Sequence, residues 1–467
     1  YMSERVNPVK FVDSLERLSP IGKPVILRTV EARALFQFPR TSPWITATEL
    51  PEHHQPIVSE EGTLLDGLQA MAETTQEVTD IPVESLLKQT LITGSTGSGK
   101  TNLVLNLLLD AYHNQIPFIV FSPSRRVYRA LINALPEVLL FTIGDERVTP
   151  LRFNPLLPPP GTLNQTHVDN FRAAFEASYP LRPPMPYVLN QCLTNIYVKN
   201  GWNLLGHERG EAISLTDLHN EVEDYTRSLG DETELRRGIE AALKARIERL
   251  KEGSLGSMLN TLKPFPLDLF LSTPTIFEFD GLADYREKAL IISLLLNAIR
   301  EQVQTLGPSD GTRLVIVVDE AHELLANIDS YAALSDAVDA RNGANQYIND
   351  MLADMRDYGV GTILVDQAPS KLLPEAMRNA SMKIVFKTIS DGDRGALGSI
   401  MDLDERDVRS LSNLRVGEAF VYTERAAQVY KIKVPDLAKA HGIKMGANIA
   451  DEDVRERMHT FYQFHPP

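Results

Sequence analysis

Residues 94–101 have the types and the spacing that bind a chain of phosphates. They read Gly-Ser-Thr-Gly-Ser-Gly-Lys-Thr, which fits the pattern G-x-x-x-x-G-K-[S/T]. Glycines let the backbone turn tightly and bring its N–H groups close to phosphate oxygens. Lys100 would place a positive, catalytic charge on the β and γ phosphates, and the Thr101 hydroxyl is a natural Mg²⁺ ligand. We therefore predict that ATP and Mg²⁺ are bound by Gly94, Ser95, Thr96, Gly97, Ser98, Gly99, Lys100, Thr101 and Asn102.

A pair of carboxylates follows a short apolar run later in the chain. Residues 314–318 are Leu-Val-Ile-Val-Val, and Asp319 and Glu320 come next. A strand buried on both faces is a continuous apolar run, and ligands bind at the carboxyl ends of parallel strands. We predict that Asp319 holds Mg²⁺ through water and that Glu320 polarises the attacking water. An acidic cap on a helix is the alternative, and a phosphate loop in the same chain disfavours it.

A second apolar run, at 361–367, ends in Gln367. An amide at this position can contact both the γ-phosphate and the attacking water, so Gln367 is predicted to be catalytic. The alternative is an ordinary polar residue at the end of a strand.

Hydrolysis also needs a positive charge on the transferring phosphoryl group, often from a neighbouring subunit. Arg356 is the first candidate, because it ends the helix before the Gln367 strand and could be projected across an interface. A cation that stabilises a helix C-terminus explains Arg356 equally well. The other candidates are Arg378, Arg394 and Arg415. Within one subunit, no cation is obvious near the nucleotide for the transition state.

Alternating strands and helices must position these residues. Apolar runs predict strands at 90–92, 117–121, 138–142, 275–279, 314–318, 361–367 and 382–387. Helical spacing predicts helices at 102–109, 126–134, 285–304 and 332–358. This alternation implies a parallel sheet covered by helices on both faces. Residues 419–423 and 428–433 are expected to form a terminal hairpin.

The fold class predicted from this pattern is α/β, with a mainly parallel central sheet. The predicted divisions are a small mixed N-terminal domain or docking arm at 1–80, an ATPase core at 81–155 and 270–435, a helical insertion at 156–269 and a polar tail or partner-binding arm at 436–467. In the first division, strands are predicted at 24–30 and 34–38 and a helix at 64–75.

The last helix predicted in the insertion carries several basic residues. They are Arg236, Arg237, Lys244, Arg246, Arg249 and Lys251. Glutamates are interspersed among them, so we favour a solvated amphipathic face over a functional basic surface.

Composition limits the class of protein further. The 467 residues carry a formal net charge of −15, which argues against nucleic acid coating the whole surface. DNA in a locally basic channel remains compatible with that charge. No run of about 18 apolar residues and no signal peptide are visible, so we expect no membrane span and a cytoplasmic location. The single cysteine, Cys192, fits a reducing compartment.

Taken together, the motifs resemble the HerA/FtsK superfamily of P-loop motor ATPases, and within it the HerA-like proteins. The resemblance rests on the phosphate loop with its lead-in from residue 81, on residues 314–323 and on residues 358–370. The last of these looks like the family's strand that ends in a sensor glutamine. Asn379 followed by 383–387, and residues 417–421, are similar to the later core strands. The resemblance covers roughly residues 80–155 and 270–435.

The resemblance implies a RecA-like core assembled as a ring, usually a hexamer, that pumps double-stranded DNA through its pore. ATP would lie between subunits. In related motors an arginine eleven positions before the sensor glutamine acts across the interface, and here that position is Arg356. HerA-like proteins usually carry an acidic residue just after the second strand. Residues 122–126, Ser-Pro-Ser-Arg-Arg, stand there in this chain, so that loop is assigned no catalytic role.

The expected function is that of a ring-forming, ATP-dependent double-stranded DNA translocase or helicase of HerA type. It would act with a nuclease or another effector in DNA repair or phage defence. A conjugation- or secretion-type coupling ATPase is one alternative. A ring scaffold for an effector enzyme, stabilised by ATP, is the other, and DNA-stimulated ATPase activity separates a motor from a scaffold.

Overall fold

The computed structural model of the protein describes residues 41–42, 46–48, 81–82, 89–179, 181–230, 234–325, 336–423, 428–443 and 449–467. The strands predicted at 24–30 and 34–38, and the helix predicted at 64–75, lie outside these residues. All the described residues belong to one unit, which spans Arg40–Pro467.

Most of the predicted apolar runs form strands. The strands are β1 (Thr41–Ser42), β2 (Thr46–Thr48), β3 (Ile81–Pro82), β4 (Thr90–Thr93), β5 (Phe118–Ser122), β6 (Leu139–Thr142), β7 (Thr275–Glu278), β8 (Leu314–Val318), β9 (Val360–Asp366), β10 (Met382–Phe386), β11 (Glu418–Thr423) and β12 (Gln428–Lys433). Every residue of β4, β5, β8, β9 and β10 is buried, as expected for strands covered on both faces.

Ten of the described strands form one sheet, in the order β2-β12-β11-β10-β4-β9-β8-β5-β7-β6. The strands from β10 to β6 are parallel to one another. Strands β11, β12 and β2 continue the sheet in antiparallel pairing. Strands β1 and β3 form a separate antiparallel pair. The predicted α/β class, the mainly parallel sheet and the terminal hairpin are therefore confirmed.

Most of the helices lie between the parallel strands in the sequence. They are α1 (Lys100–His113), α2 (Asn164–Ser178), α3 (Met185–Lys199), α4 (Leu215–Ser228), α5 (Glu234–Lys251), α6 (Gly253–Leu259), α7 (Leu267–Ser272), α8 (Tyr285–Thr305), α9 (Asp336–Asp354), α10 (Pro374–Asn379), α11 (Asp391–Met401), α12 (Glu405–Ser410), α13 (Leu437–His441) and α14 (Asp451–Phe464). Two predicted helices differ in detail, since Val127–Asn133 is a 3₁₀ helix and α9 continues as a 3₁₀ turn at Met355–Tyr358. No helix in the described part of the chain combines the length and the hydropathy of a bilayer-spanning segment.

Successive residues of the central strands face opposite layers of helices. In β4, Leu91 belongs to the apolar cluster that includes the helices between β6 and β7. Its neighbour Ile92 packs instead with Leu103 and Leu107 of α1. The helices predicted as an insertion thus share a continuous core with the sheet, and α2 packs against both α8 and α9. This packing holds the central strands rigidly from both sides.

The basic residues of α5 are balanced by carboxylates, as the sequence favours. Lys244 Nζ lies 2.5 Å from a Glu223 oxygen, and Arg249 Nε lies 2.5 Å from a Glu287 oxygen. Because these cations have neighbouring partners within the chain, the helix does not present a free basic surface there.

The prediction that residues 436–467 are a polar tail is corrected by α14, which packs on the sheet. Val454 and Met458 are buried. The ring centroid of Phe461 lies 5.6 Å from that of Phe141 and 5.1 Å from that of Phe265. These apolar residues recur at intervals of four and three, which is a helical stripe diluted by polar neighbours.

A buried ion pair ties the start of α14 to the sheet. The Arg129 guanidinium donates to both carboxylate oxygens of Glu278, at 2.8–3.1 Å, and to Asp451 at 2.7 Å. The side chains of Arg129 and Glu278 are 3% and 1% exposed. Burial raises the pKa of Glu278, and the neighbouring Arg129 opposes that rise.

We predict that Arg129→Ala destabilises the protein by about 3–5 kcal/mol, because it leaves Glu278 charged and buried without its cation. Arg126→Ala is the matched control. Its side chain is 43% exposed and pairs with Asp280, so its loss should cost about 1 kcal/mol or less. Urea unfolding followed by circular dichroism measures both variants. Equal losses of stability would contradict the role given to Arg129.

Candidate nucleotide-binding site

Three neighbouring parallel strands end at the same edge of the sheet. Strand β9 lies between β4 and β8, with Thr93 opposite Asp366 and Val318 opposite Leu364. The segments that follow these strands are the phosphate loop, Asp319-Glu320 and Gln367. The sheet order therefore gathers residues that are distant in sequence, at the edge where parallel sheets bind ligands.

The phosphate loop is anchored on β10 and on the turn before β11. The Ser95 N–H donates to the Lys387 carbonyl at 2.7 Å, and the Gly417 N–H donates to the Ser98 carbonyl at 2.9 Å. Gly99 has a φ of +118°, and a Cβ on it would lie 3.2 Å from the Gly417 backbone. Glycine is needed there both for the backbone conformation and for the close approach.

The side chain of Lys100 bonds back to the start of the phosphate loop. Its Nζ donates to the carbonyls of Gly94 at 2.5 Å and Ser95 at 3.1 Å. The residue is buried, and burial lowers the pKa of its ammonium. Among the described residues, the hydrogen-bond partners of this buried cation are two neutral carbonyls, so it is suited to an anionic ligand, because phosphate oxygens would compensate its charge better.

Asp319 and Thr101 fit the predicted role in Mg²⁺ binding. Asp319 is buried, and burial together with the negative charge of Glu320 raises the pKa of its carboxyl to about 7. A divalent cation would relieve this unfavourable charge, and Mg²⁺ prefers carboxylate and hydroxyl oxygens. Thr101 supplies the second oxygen from the first turn of α1. When bound there, Mg²⁺ would neutralise part of the charge of the phosphates.

Glu320 is held in place by several contacts. Its backbone is left-handed, with a φ of +46°, which is costly for a residue with a side chain and is maintained by its surroundings. Its Oε1 accepts a hydrogen bond from Gln367 Nε2 at 2.5 Å. Gln367 in turn accepts a hydrogen bond from the Thr96 hydroxyl in the phosphate loop. The other oxygen of Glu320, Oε2, is buried, makes no hydrogen bond within the described part of the chain and lies 3.6 Å from His322 Nδ1.

Arg125 is a site residue that sequence reasoning missed. Its guanidinium pairs with the same Oε1 of Glu320, whose side chain is 5% exposed. The expectation that one subunit lacks a nearby cation is therefore wrong. The reason lies in the strand order: β5 pairs with β8, so the loop after β5 lies beside the carboxylates that follow β8. Arg125 could have been found from the sequence only if the order of the strands in the sheet had been predicted.

His322 and Asp366 form a second contact that sequence analysis did not assign. Asp366 accepts hydrogen bonds from the His322 backbone N–H at 2.7 Å and from the His322 ring Nδ1 at 2.8 Å. The Ala368 N–H donates to its other oxygen at 2.7 Å. The hydrogen bond to Asp366 raises the pKa of His322. The pair braces the turn that carries Glu320 against the end of β9.

Comparison with known proteins agrees with this architecture. No protein-family model matches the chain. Over 132 residues it is 27% identical to the probable DNA double-strand break repair helicase HerA of Methanocaldococcus jannaschii. That match covers 28% of this chain and spans about a quarter of the relative's length, 24%.

Two groups of solved structures share the fold. VirB4 of Thermoanaerobacter pseudethanolicus superposes with a TM-score of 0.58 and 19% identity, over 74% of this chain and 89% of that one. The plasmid coupling protein TrwB, in complex with the ATP analogue ADPNP, gives a TM-score of 0.55 and 14% identity, over 89% and 98%. The shared fold confirms the predicted α/β, RecA-like core. The comparisons also agree with the resemblance of the motifs to the HerA/FtsK superfamily of P-loop ATPases.

Within this fold, Arg356 lies far from the phosphate loop of its own subunit. It is exposed in the turn before β9, and the loop adjoins the other end of that strand. A strand of seven residues spans about 20 Å. An action of Arg356 on the nucleotide of a neighbouring subunit stays a prediction.

The remaining predicted residues have varied surroundings. Arg378 and Arg415 are exposed, whereas Arg394 is bonded to the Ile389 carbonyl at 2.5 Å. The amide of Asn102 donates to the Pro435 carbonyl at 2.6 Å and accepts from the Leu437 N–H at 2.9 Å. The side chain of Asn102 thus joins α1 to α13, and any nucleotide contact of this residue would come from its backbone.

We predict that His322→Gln destabilises the protein by about 1–2 kcal/mol at pH 6 and by less at pH 9. A raised folded pKa gives stability that is present below the unfolded value, about 6.5, and is lost as the pH rises through the folded value. Urea unfolding at the two pH values measures this difference. His219→Gln is the control and should show the opposite trend, since burial lowers the pKa of His219. A loss at His322 that is equal at both pH values, or larger at pH 9, would contradict the assignment.

Proposed function

We propose that the protein hydrolyses ATP as a ring-forming, double-stranded DNA translocase or helicase of HerA type. The observation that carries the proposal is the connected set of Thr96, Gln367 and Glu320, which joins the phosphate loop to the carboxylate that follows β8. A motor needs the terminal phosphate to be coupled to the groups that move or react. The similarity to HerA supports the choice of double-stranded DNA.

The chemistry follows from the positions of these side chains. Lys100 would exchange its two carbonyl partners for phosphate oxygens and stabilise their charge. Glu320 would orient the attacking water and accept its proton, and its Oε2 makes no hydrogen bond to a described residue that would compete with the water. Gln367 would report the presence of the γ-phosphate, since it contacts the phosphate loop through Thr96. Hydrolysis would then change the contacts at the carboxyl end of β9.

A ring with a locally basic pore suits the overall charge. With a net charge of −15, the outer surface would repel DNA, so phosphate contacts must be confined to a small area. We propose a hexamer that encloses the duplex and that delivers it to a nuclease or another effector in DNA repair or phage defence.

Conjugative coupling is the second candidate function. The fold aligns with 98% of the chain of the plasmid coupling protein TrwB. A coupling ATPase would use the same nucleotide chemistry, but its activity would depend on a partner at a membrane. Stimulation of the isolated protein by linear duplex DNA favours the translocase, and the absence of any stimulation favours coupling or a scaffold.

We predict that the wild-type protein hydrolyses ATP faster when linear duplex DNA is added. Glu320→Gln should retain ATP binding and lose about 10²–10⁴ in rate, because the carboxylate base is replaced by an amide of the same shape. Lys100→Ala should lose hydrolysis while keeping its fold. Steady-state phosphate release, with circular dichroism to check folding, measures all three.

The contradicting outcomes are distinct. A folded Lys100→Ala variant with wild-type turnover would remove the phosphate-loop assignment. A Glu320→Gln variant that fails to bind nucleotide, or that turns over normally, would remove the role given to Glu320.

We further predict that Arg356→Ala forms rings and binds ATP but hydrolyses it about 10³–10⁵-fold more slowly, as expected for a transition-state cation. Mixing Arg356→Ala subunits with Lys100→Ala subunits should restore part of the activity. Some interfaces in such mixed rings would pair an intact Lys100 with an intact Arg356. If subunits exchange and no activity returns, Arg356 does not act in trans, and Arg378, Arg394 and Arg415 are tested next.

A further inference from the structure

The loop after β5 places a cation against the proposed catalytic carboxylate. Arg125 pairs with Oε1 of Glu320, and this is the guanidinium's one ion pair among the described residues. Arg125 is partly exposed, 32% for its side chain, whereas Glu320 is buried. The arginine can therefore move into a ligand site more readily than the carboxylate can move out of it.

The same carboxylate oxygen also bonds to Gln367. Oε1 of Glu320 thus has two partners, the Arg125 guanidinium and Gln367 Nε2, while Oε2 makes no hydrogen bond among the described residues and lies 3.6 Å from His322 Nδ1. The guanidinium and the Gln367 amide thus both occupy Oε1, so this oxygen is not available to bind the attacking water.

The charge of Arg125 also acts on the groups around the nucleotide site. Burial lowers the pKa of Lys100, and the positive charge of Arg125 acts in the same direction. Burial and Glu320 raise the pKa of Asp319, and Arg125 opposes them. The guanidinium is therefore close enough to the site to respond to a change of charge there.

A terminal phosphate would compete with Glu320 for this arginine. Guanidinium groups bind phosphates through two parallel hydrogen bonds, and a phosphate offers more oxygens and more charge than one carboxylate. ADP lacks that phosphate and would leave the pair intact.

We propose that Arg125 is a γ-phosphate sensor that holds Glu320 inactive until a nucleoside triphosphate binds in the same subunit. On binding, Arg125 would leave Glu320 for the terminal phosphate. Oε1 of Glu320 would then be released from the guanidinium and could bind the attacking water, with Gln367 still orienting the side chain. The inference rests on the proposed ATPase function and deepens it, because it makes the base available only when a phosphate is present to be hydrolysed.

The test measures the affinities of a non-hydrolysable ATP analogue and of ADP, both with Mg²⁺, by isothermal titration calorimetry. Arg125→Ala should weaken analogue binding at least tenfold and change ADP binding less than twofold. Arg125→Lys should be intermediate, because lysine keeps the charge and loses the two-pronged geometry. Arg126→Ala is the matched control and should leave both affinities unchanged, since that residue pairs with Asp280 and Asp451 outside the site.

A double-mutant cycle gives the sharper result. Glu320→Gln should tighten analogue binding several-fold, because Arg125 no longer has to leave a carboxylate. In the double variant with Arg125→Ala this gain should disappear, so that the double variant binds the analogue like Arg125→Ala alone. A gain that persists in the double variant would overturn the proposal.

Other outcomes separate the inference from the proposed function. If Arg125→Ala changes the two affinities equally, or neither, while the wild type hydrolyses ATP, the sensor role fails and the ATPase function stands. If the wild type binds neither nucleotide, both fail together. Should Arg125→Ala not fold, Arg125→Lys and Arg125→Gln carry the same comparison, and unchanged selectivity in both would overturn the sensor role.

Discussion

The parallel alignment of β4, β9, β8 and β5 is the constraint on which the rest of the structure depends. Parallel strands present their carboxyl ends at one edge, and each is followed by a loop that carries one part of the site. The packed helices on both faces keep these strands from shifting. The phosphate loop and Glu320 are more than two hundred residues apart in the sequence, and the strand order is what brings them together.

Around this edge, the site is a chain of polar contacts rather than a set of independent residues. Thr96 contacts Gln367, Gln367 contacts Glu320, and Glu320 contacts Arg125. Glu320, the member that both Gln367 and Arg125 contact, is buried, so a change in one of its contacts affects the other. Phosphate bound at the phosphate loop would therefore change the contacts of the loop after β5, which is three strands away from β4 in the sheet.

The helical insertion and α14 share one apolar cluster with the sheet. The cluster includes residues beside β6 and β7, and the buried pair of Arg129 and Glu278 links β7 to the segment before α14. The structural ion pair of Arg129 thus has different partners from the pair of Arg125 with Glu320. The neighbouring arginines 125, 126 and 129 consequently have different partners and different roles.

The sequence by itself determined the phosphate loop, the carboxylate pair, Gln367 and the α/β class, because each depends on local spacing or on a run of apolar residues. The strands and most helices were predictable for the same reason. Only the tertiary structure decided the partner of Glu320, because Arg125 reaches it through the pairing of β5 with β8, which no local pattern encodes. The tertiary structure likewise decided that Asp366 bonds to His322 and that residues 451–464 pack on the sheet. Both depend on contacts between residues that are distant in the sequence.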